Sequence, residues 1–279
     1  MAELIVRRLL IDLEAPFGRH WCGGDPFRTA LFNALSMSFP VGEQFFIDAV
    51  RRGLAALDAG RRRAFEPEAR GFIGQEATHR RVHALFNAQL ERQGLVNDWE
   101  RRAAARLELL QGADPRHWLA ITAANEHFTA ILAEWLLRNA DLLGDTEPRL
   151  RTMWLWHSAE ESEHRSTAFD LYRALGGDET WRLRWFRRIT IIFVGDTLRQ
   201  TVSNLRRDRT LWKWRTWRSA AAFLFGARGL VRQTFAPWRA YRRRDFHPDD
   251  LRSDLSSRWL RDNASAWSAV GASAALSSR

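Results

Sequence analysis

Four glutamates and two histidines occur along the chain in the order Glu43, Glu76 with His79, Glu126, Glu161 with His164. Each histidine follows a glutamate by three residues. On a helix that spacing brings a carboxylate oxygen and an imidazole nitrogen to one point. Glu43 and Glu126 stand alone, as carboxylates delivered by two further helices would. Four carboxylates together in an apolar core repel one another and lose their hydration, and two divalent cations neutralise them. The set therefore predicts a dinuclear metal centre. Carboxylate with imidazole suits iron or manganese better than a thiolate-seeking ion, although intrinsic affinity favours zinc over either. The expected cofactor is two metal ions, iron first, with manganese or zinc as alternatives.

The pattern repeats within the chain. Gln75-Glu76-Ala77-Thr78-His79-Arg80 parallels Glu160-Glu161-Ser162-Glu163-His164-Arg165, and Glu43-Gln44-Phe45 parallels Glu126-His127-Phe128. Glu43 precedes Glu76 by 33 residues and Glu126 precedes Glu161 by 35. Two helical hairpins packed about a pseudo-twofold axis through the metals account for both observations.

The elements that must position these residues are legible as apolar stripes at helical spacing. The first runs from Phe27 to Leu57 through Leu31, Leu35, Phe39, Phe46, Val50 and Leu54, with Glu43 filling one position of the stripe. Pro40 lies inside it and predicts a kink or break just before Glu43. The second, Pro67 to Leu90, reads Phe72, Glu76, His79, His83, Phe86. The third, Pro115 to Leu143, carries Glu126 between Ala123 and Ala130, and the fourth, Pro148 to Leu175, reads Trp154, His157, Glu161, His164, Ala168. Pro67, Pro115 and Pro148 suit first-turn positions, and Gly176-Gly177 ends the last helix. A shorter helix near Trp99 to Leu110 would cross between the halves. The fold expected is all-α, a four-helix bundle over residues 1–178 with further C-terminal helices over 179–262 and a Ser/Ala-rich, unstructured tail over 263–279.

The six-residue order resembles the ferritin-like di-iron carboxylate superfamily. More narrowly, Phe39-Pro40-Val41-Gly42-Glu43, Gly74-Gln75-Glu76-Ala77-Thr78-His79, Trp156 to His164 and Phe246-His247-Pro248 resemble a bacterial family described as a predicted metal-dependent hydrolase, over about residues 20 to 250. The resemblance implies a ferritin-like bundle and a metal-dependent activity. His157 precedes Glu161 by four residues, and this His-xxx-Glu-xx-His helix is similar to the extra-histidine arrangement of di-iron arylamine N-oxygenases. That makes His157 a candidate seventh ligand beside Glu43, Glu76, His79, Glu126, Glu161 and His164, the alternative being a hydrogen-bonded core residue. His83, one turn beyond His79, is a further candidate.

Several neighbours receive a plainer reading. His127 and Glu160 point off the stripe, as supporting or surface residues. Arg80 and Arg165 are expected on a solvated face. Ala123, Ala130 and Ala168 either leave room for a substrate or pack helices closely. Tyr172 and Tyr241 lie too far from the ligands in sequence for a tyrosyl radical.

Composition sets the frame. The chain has 279 residues, 46% hydrophobic and 27% charged, which excludes a disordered chain and is enough for one large domain or a domain with an appendage. Cys22 stands alone, and the amino terminus lacks the apolar core of a signal peptide, so a cytoplasmic location is expected. The longest apolar runs fall short of the roughly 20 residues that span a bilayer. The net charge of +10 is concentrated: residues 181 to 244 hold 17 Arg or Lys against only Asp196 and Asp208. Tryptophans interleave with these arginines, either packing a helical layer on the bundle or seating an amphipathic surface on an anionic membrane; nucleic acid is not expected, because no recognised binding module is present.

The sequence thus points to a di-iron oxygenase or oxidase acting on a small, hydrophobic substrate with a redox partner. Glu76 and Glu161 would be the carboxylates that bridge the ions and carry the catalysis. A metal-dependent hydrolase is the alternative on the same residues, and an iron-handling or membrane-surface protein is the non-enzymatic one.

Overall fold

The computed structural model describes residues 4–270. Helix dominates: α1 (Pro26–Ala56), α2 (Ala59–Arg92), α3 (Asp98–Glu108), α4 (Pro115–Arg138), α5 (Pro148–Glu163), α6 (Thr167–Ala174), α7 (Glu179–Arg207), α8 (Trp214–Phe225), α9 (Leu230–Ala240) and α10 (Leu255–Asp262). Two short strands, β1 (Arg7–Leu9) and β2 (Trp267–Ala269), pair antiparallel and tie the two ends of the described chain together. No helix among the described residues is long and apolar enough to cross a membrane.

The helix starts follow their capping residues. Asp25, Asp114 and Glu147 each accept a backbone N–H of the first turn, with Pro26, Pro115 and Pro148 behind them. Pro67 departs from the expectation. Asp58 accepts from Gly60 and Arg61 and starts α2 at Ala59, so Pro67 lies inside the helix and not at its first turn. The third stripe is also shorter than expected: α4 stops at Arg138, and Ala140–Leu143 forms a separate 3-10 turn. The fourth is divided, because His164 caps α5 and the chain resumes as α6 at Thr167.

Pro40 does not break α1, which runs through it unbroken. A proline withholds the N–H that the carbonyl four residues earlier would accept, here that of Ser36. The Asn87 side chain on α2 replaces it, donating Nδ2–H to Ser36 O at 2.9 Å.

α1 packs on α2 and α4, α4 packs on α5 and α6, and α7 lies against α1 and α4. The interior holds two apolar clusters. One contains Phe39 of α1, Phe86 of α2, Leu136 of α4 and Trp154 of α5; the other contains Phe46, Phe72, Leu119 and Phe169. On each strand of this pattern the site residues fall between a member of one cluster and a member of the other: Glu43 on α1, Glu76 and His79 on α2, Glu126 on α4, Glu161 and His164 on α5. A polar layer therefore divides an otherwise apolar core.

The basic segment contributes to both clusters, Leu205, Ala220 and Phe223 to the first and Phe186, Ile189 and Tyr241 to the second. The unstructured tail expected from 263 does not begin there. Trp267 Nε1 donates to Leu260 O at 3.1 Å, the Arg7 guanidinium lies 4.9 Å over the Trp267 ring, and the β1–β2 pairing holds the chain in place to Ala269. The rest of that expectation, 271–279, lies outside the described residues.

Candidate metal centre

Glu76 and His79 from α2 meet Glu161 and His164 from the end of α5, all four completely or almost completely buried. Each offers one donor atom, and these atoms lie within 4.8 Å of one another. His79 Nδ1 stands 3.3 Å from Glu161 Oε1, and His164 Nε2 stands 3.6 Å from Glu76 Oε1. These approaches are not hydrogen bonds. Both Glu76 oxygens, Glu161 Oε2, His79 Nδ1 and His164 Nε2 have no hydrogen-bond partner among the described residues. Buried polar atoms normally have one, and a buried carboxylate without one is costly. A hard or borderline divalent cation at the point where the donors converge removes the difficulty, so the residues fit the group.

The other nitrogen of each histidine is engaged. His79 Nε2 donates to Glu160 Oε2 at 2.9 Å, and Glu160 Oε1 in turn accepts from Arg7 at 3.1 Å. His164 Nδ1 donates to Glu126 Oε2 at 3.0 Å, leaving Glu126 Oε1 without a partner. A carboxylate on the outer nitrogen fixes the tautomer and aims the inner lone pair at the metal position. Glu160 is thus no surface residue: it is fully buried and holds His79 in place.

A second group forms next to the first. Glu43, His83 and His157 also bring donor atoms within 4.8 Å of one another. His157 Nε2 lies 3.3 Å from Glu161 Oε1, so Glu161 stands between the two groups. Neither Glu43 oxygen has a hydrogen-bond partner, nor has His157 Nε2.

The protons here follow from the backbone. Asn87 gives its N–H to Ser36 O, which turns its Oδ1 toward the Ser36 hydroxyl at 2.7 Å. An amide oxygen only accepts, so the hydroxyl donates to it and must accept from His83 Nδ1 at 2.8 Å. Neutral His83 then has a lone pair on Nε2, which accepts from His157 Nδ1 at 3.0 Å. His157 Nε2 is left as a bare lone pair facing the site. Both rings are kept neutral by burial, His83 well below its ordinary pKa and His157 down to about 4. Phe39 stacks on His157 at 4.7 Å and holds the ring in plane.

Burial also governs the carboxylates. It pushes Glu43 and Glu76 well above the ordinary range and Glu126 up to about 7. Glu161 behaves oppositely: burial opposes its ionisation, but the surrounding histidines, His164 first, hold it well below. Burial disfavours the His79 cation too, yet the hydrogen bond to Glu160 and the nearby Glu161 carboxylate bring it up to about 10. Without cations, this core keeps protons that cations would displace.

The other candidates have ordinary structural roles. His127 is buried under α9, where its Nε2 donates to Pro237 O at 3.2 Å. Arg80 is on the surface against Gln44, as expected, whereas Arg165 is buried and donates to Ser162 O at 3.0 Å. Ala123, Ala130 and Ala168 are closely packed. The cavity near the site is lined instead by Phe39, Gly42 and Phe46 of α1, Ile121 and Thr129 of α4 and Phe193 of α7, with a volume of about 130 Å³. Its α1 and α4 lining flanks Glu43 and Glu126 in sequence.

The family model described as "Predicted metal-dependent hydrolase" matches residues 5–252. The chain belongs to this family. The family match begins just before Arg7 and includes all the residues of both groups, Glu160 and the Ser36–Asn87 support. No curated protein and no solved structure matches the chain.

Sequence reasoning missed Arg7, Ser36, Asn87 and the role of Glu160. Ser36 was discoverable, because it lies four residues before Pro40 and its carbonyl needs a donor. Arg7 was not, since a three-residue strand carries no periodic signal.

Proposed function

We propose that the chain is a two-metal hydrolase on a ferritin-like bundle. The observation that carries the reading is the pair of adjoining groups of buried, unpartnered donors with Glu161 between them. The family description supports the reaction class. Glu76, His79, Glu161 and His164 would hold one ion, and Glu43, His157 and Glu161 the other, with His83 supporting His157. Two divalent ions supply Lewis acidity and a water nucleophile at neutral pH. Glu126, tied to His164 through Oε2, has Oε1 without a partner among the described residues and would take up the proton given up by the water. The apolar cavity beside Glu43 and Glu126 would take the apolar part of a small substrate and exclude water from it.

Dioxygen activation by two irons is the second reading, favoured by the carboxylate-rich donor set and the Glu, ExxH, Glu, ExxH order. The two separate cleanly. Protein loaded with manganese or zinc under anaerobic conditions should turn over members of a panel of p-nitrophenyl esters and phosphates, and Glu126→Gln should lower the rate about 10²-fold or more without releasing metal. Inactivity of that protein toward the panel, together with oxygen uptake by the reduced iron-loaded form, would reject hydrolysis in favour of oxidation.

A further inference from the structure

Helix α7 enters the core through Phe186, Ile189 and Leu205, and between them it buries polar side chains: Asp196, only 1% exposed, accepts from Arg102 at 2.9 Å, Gln200 donates to Val96 O at 2.9 Å, and Asn204 donates to Ala30 O at 3.1 Å. Its outward side is aliphatic. Ile191 and Leu198 are 74% and 56% exposed, and Val194 and Val202 are exposed with them. These four follow one another at intervals of three, four and four residues, a single stripe along the helix. Arg184, Arg187, Arg188, Arg199 and Arg206 are exposed on the same side, at the ends and margins of the stripe. Among the described residues, only Arg199 of these has a carboxylate within 4.0 Å, that of Asp196.

The helices that follow also expose apolar rings. α8 packs on α1 and on α9, and α9 packs on α4, so they rest on the same two helices that carry α7. Trp214, Trp217 and Phe225 of α8, and Val231 and Phe235 of α9, are exposed. Trp212, in the turn before α8, is 90% exposed. Arg218 lies 4.5 Å over the Trp214 ring.

We infer that this face seats on the surface of an anionic lipid bilayer. Aliphatic side chains enter the acyl boundary, tryptophans settle at headgroup level, and arginines keep their charge among the phosphates while their stems lie along apolar surface. The arrangement binds to the membrane without crossing it. A second copy of the chain is a poor occupant, because each copy would bring the same dense positive charge to the interface. A nucleic acid is a poor one as well, because the tryptophans and arginines could engage bases and phosphates but the aliphatic stripe of α7 would be left facing phosphate or water. The assignment does not depend on the reaction at the metal centre.

Sedimentation of the metal-loaded full chain with vesicles tests it. Wild-type protein should sediment with phosphatidylcholine vesicles containing phosphatidylglycerol, less as salt is raised, and stay in solution with phosphatidylcholine alone. Ile191→Ser with Leu198→Ser should weaken partitioning about tenfold or more, as should Arg187→Glu with Arg188→Glu, whereas Leu10→Ser, an exposed apolar residue beside β1, should not. These are surface changes, and unchanged metal content and circular dichroism verify that the fold survives. Failure of the wild type to sediment with anionic vesicles, or equal sedimentation of the serine double variant, would overturn the assignment. A dimer in lipid-free buffer that the serine double variant dissolves would give the face to a second copy and overturn it equally.

Discussion

His157 acquires its bare nitrogen through a chain of donors that starts at a missing backbone proton. Pro40 cannot satisfy Ser36 O, Asn87 does so, and the orientation this imposes passes through Ser36 and His83 to His157. Ser36→Ala removes the acceptor that fixes the His83 tautomer and frees both rings to reverse. Cation affinity should fall about 10- to 100-fold, the cost typical of losing an outer hydrogen bond to a ligand, while the helical content is retained. Competition against a chelator of known affinity measures it, and unchanged affinity would show that the chain does not set the tautomer. Glu43, Glu76, His79, Glu126, Glu161 and His164 were conspicuous in the sequence as polar residues on apolar stripes, but Glu126, expected as a ligand, stands outside both donor groups and accepts from His164 instead. Which oxygen or nitrogen each would offer was not legible, because that depends on partners such as Glu160 and Arg7 at large sequence separation.

The helices were legible for the same reason, apolar periodicity, and their ends less so. Three of the four stripes begin within a residue or so of the expected place, yet Pro67 was misleading, since Asp58 starts α2 a full two turns earlier. The division between α5 and α6 at His164 left no mark on the stripe. The β1–β2 ribbon was invisible, and it matters because it delivers Arg7 to Glu160 and Glu163, at 3.1 and 2.6 Å. Arg7→Ala would leave Glu160, which is completely buried, with a charge no longer compensated from outside. Breaking a buried pair in this way costs about 3 to 5 kcal/mol, and the midpoint of urea unfolding should fall accordingly. A shift no larger than that of a surface pair, below about 1 kcal/mol, would mean that His79 alone suffices for Glu160.

Taken as one folding unit, the protein carries an acid-rich core and a basic outer layer, and the core gives metal-free protein an unusual response to pH. Glu126 has a pKa of about 7 when folded against an ordinary 4.5, chiefly from burial, and His79 is brought up to about 10 against 6.5 by its carboxylate partners despite burial. In both cases the folded state binds more protons, so the stability each contributes is lost as pH rises through the folded value. His83 and His157 act in the opposite direction, but only below about 6.5, where they begin to titrate in the unfolded chain. Metal-free protein should therefore lose thermal stability steadily between about pH 7 and 10. Cations require the deprotonated carboxylates, so metal-loaded protein should hold its melting temperature over that range and release metal only when acid protonates the ligands. The proposed hydrolase requires two ions beside Glu161, and metal content per chain, measured by mass spectrometry on protein equilibrated with excess manganese and then freed of unbound ion, tests this most directly. The wild type should retain two ions per chain and Glu161→Gln, which weakens both groups at once, at most one. Wild-type protein that retains none, or a Glu161→Gln variant that still retains two, would contradict it.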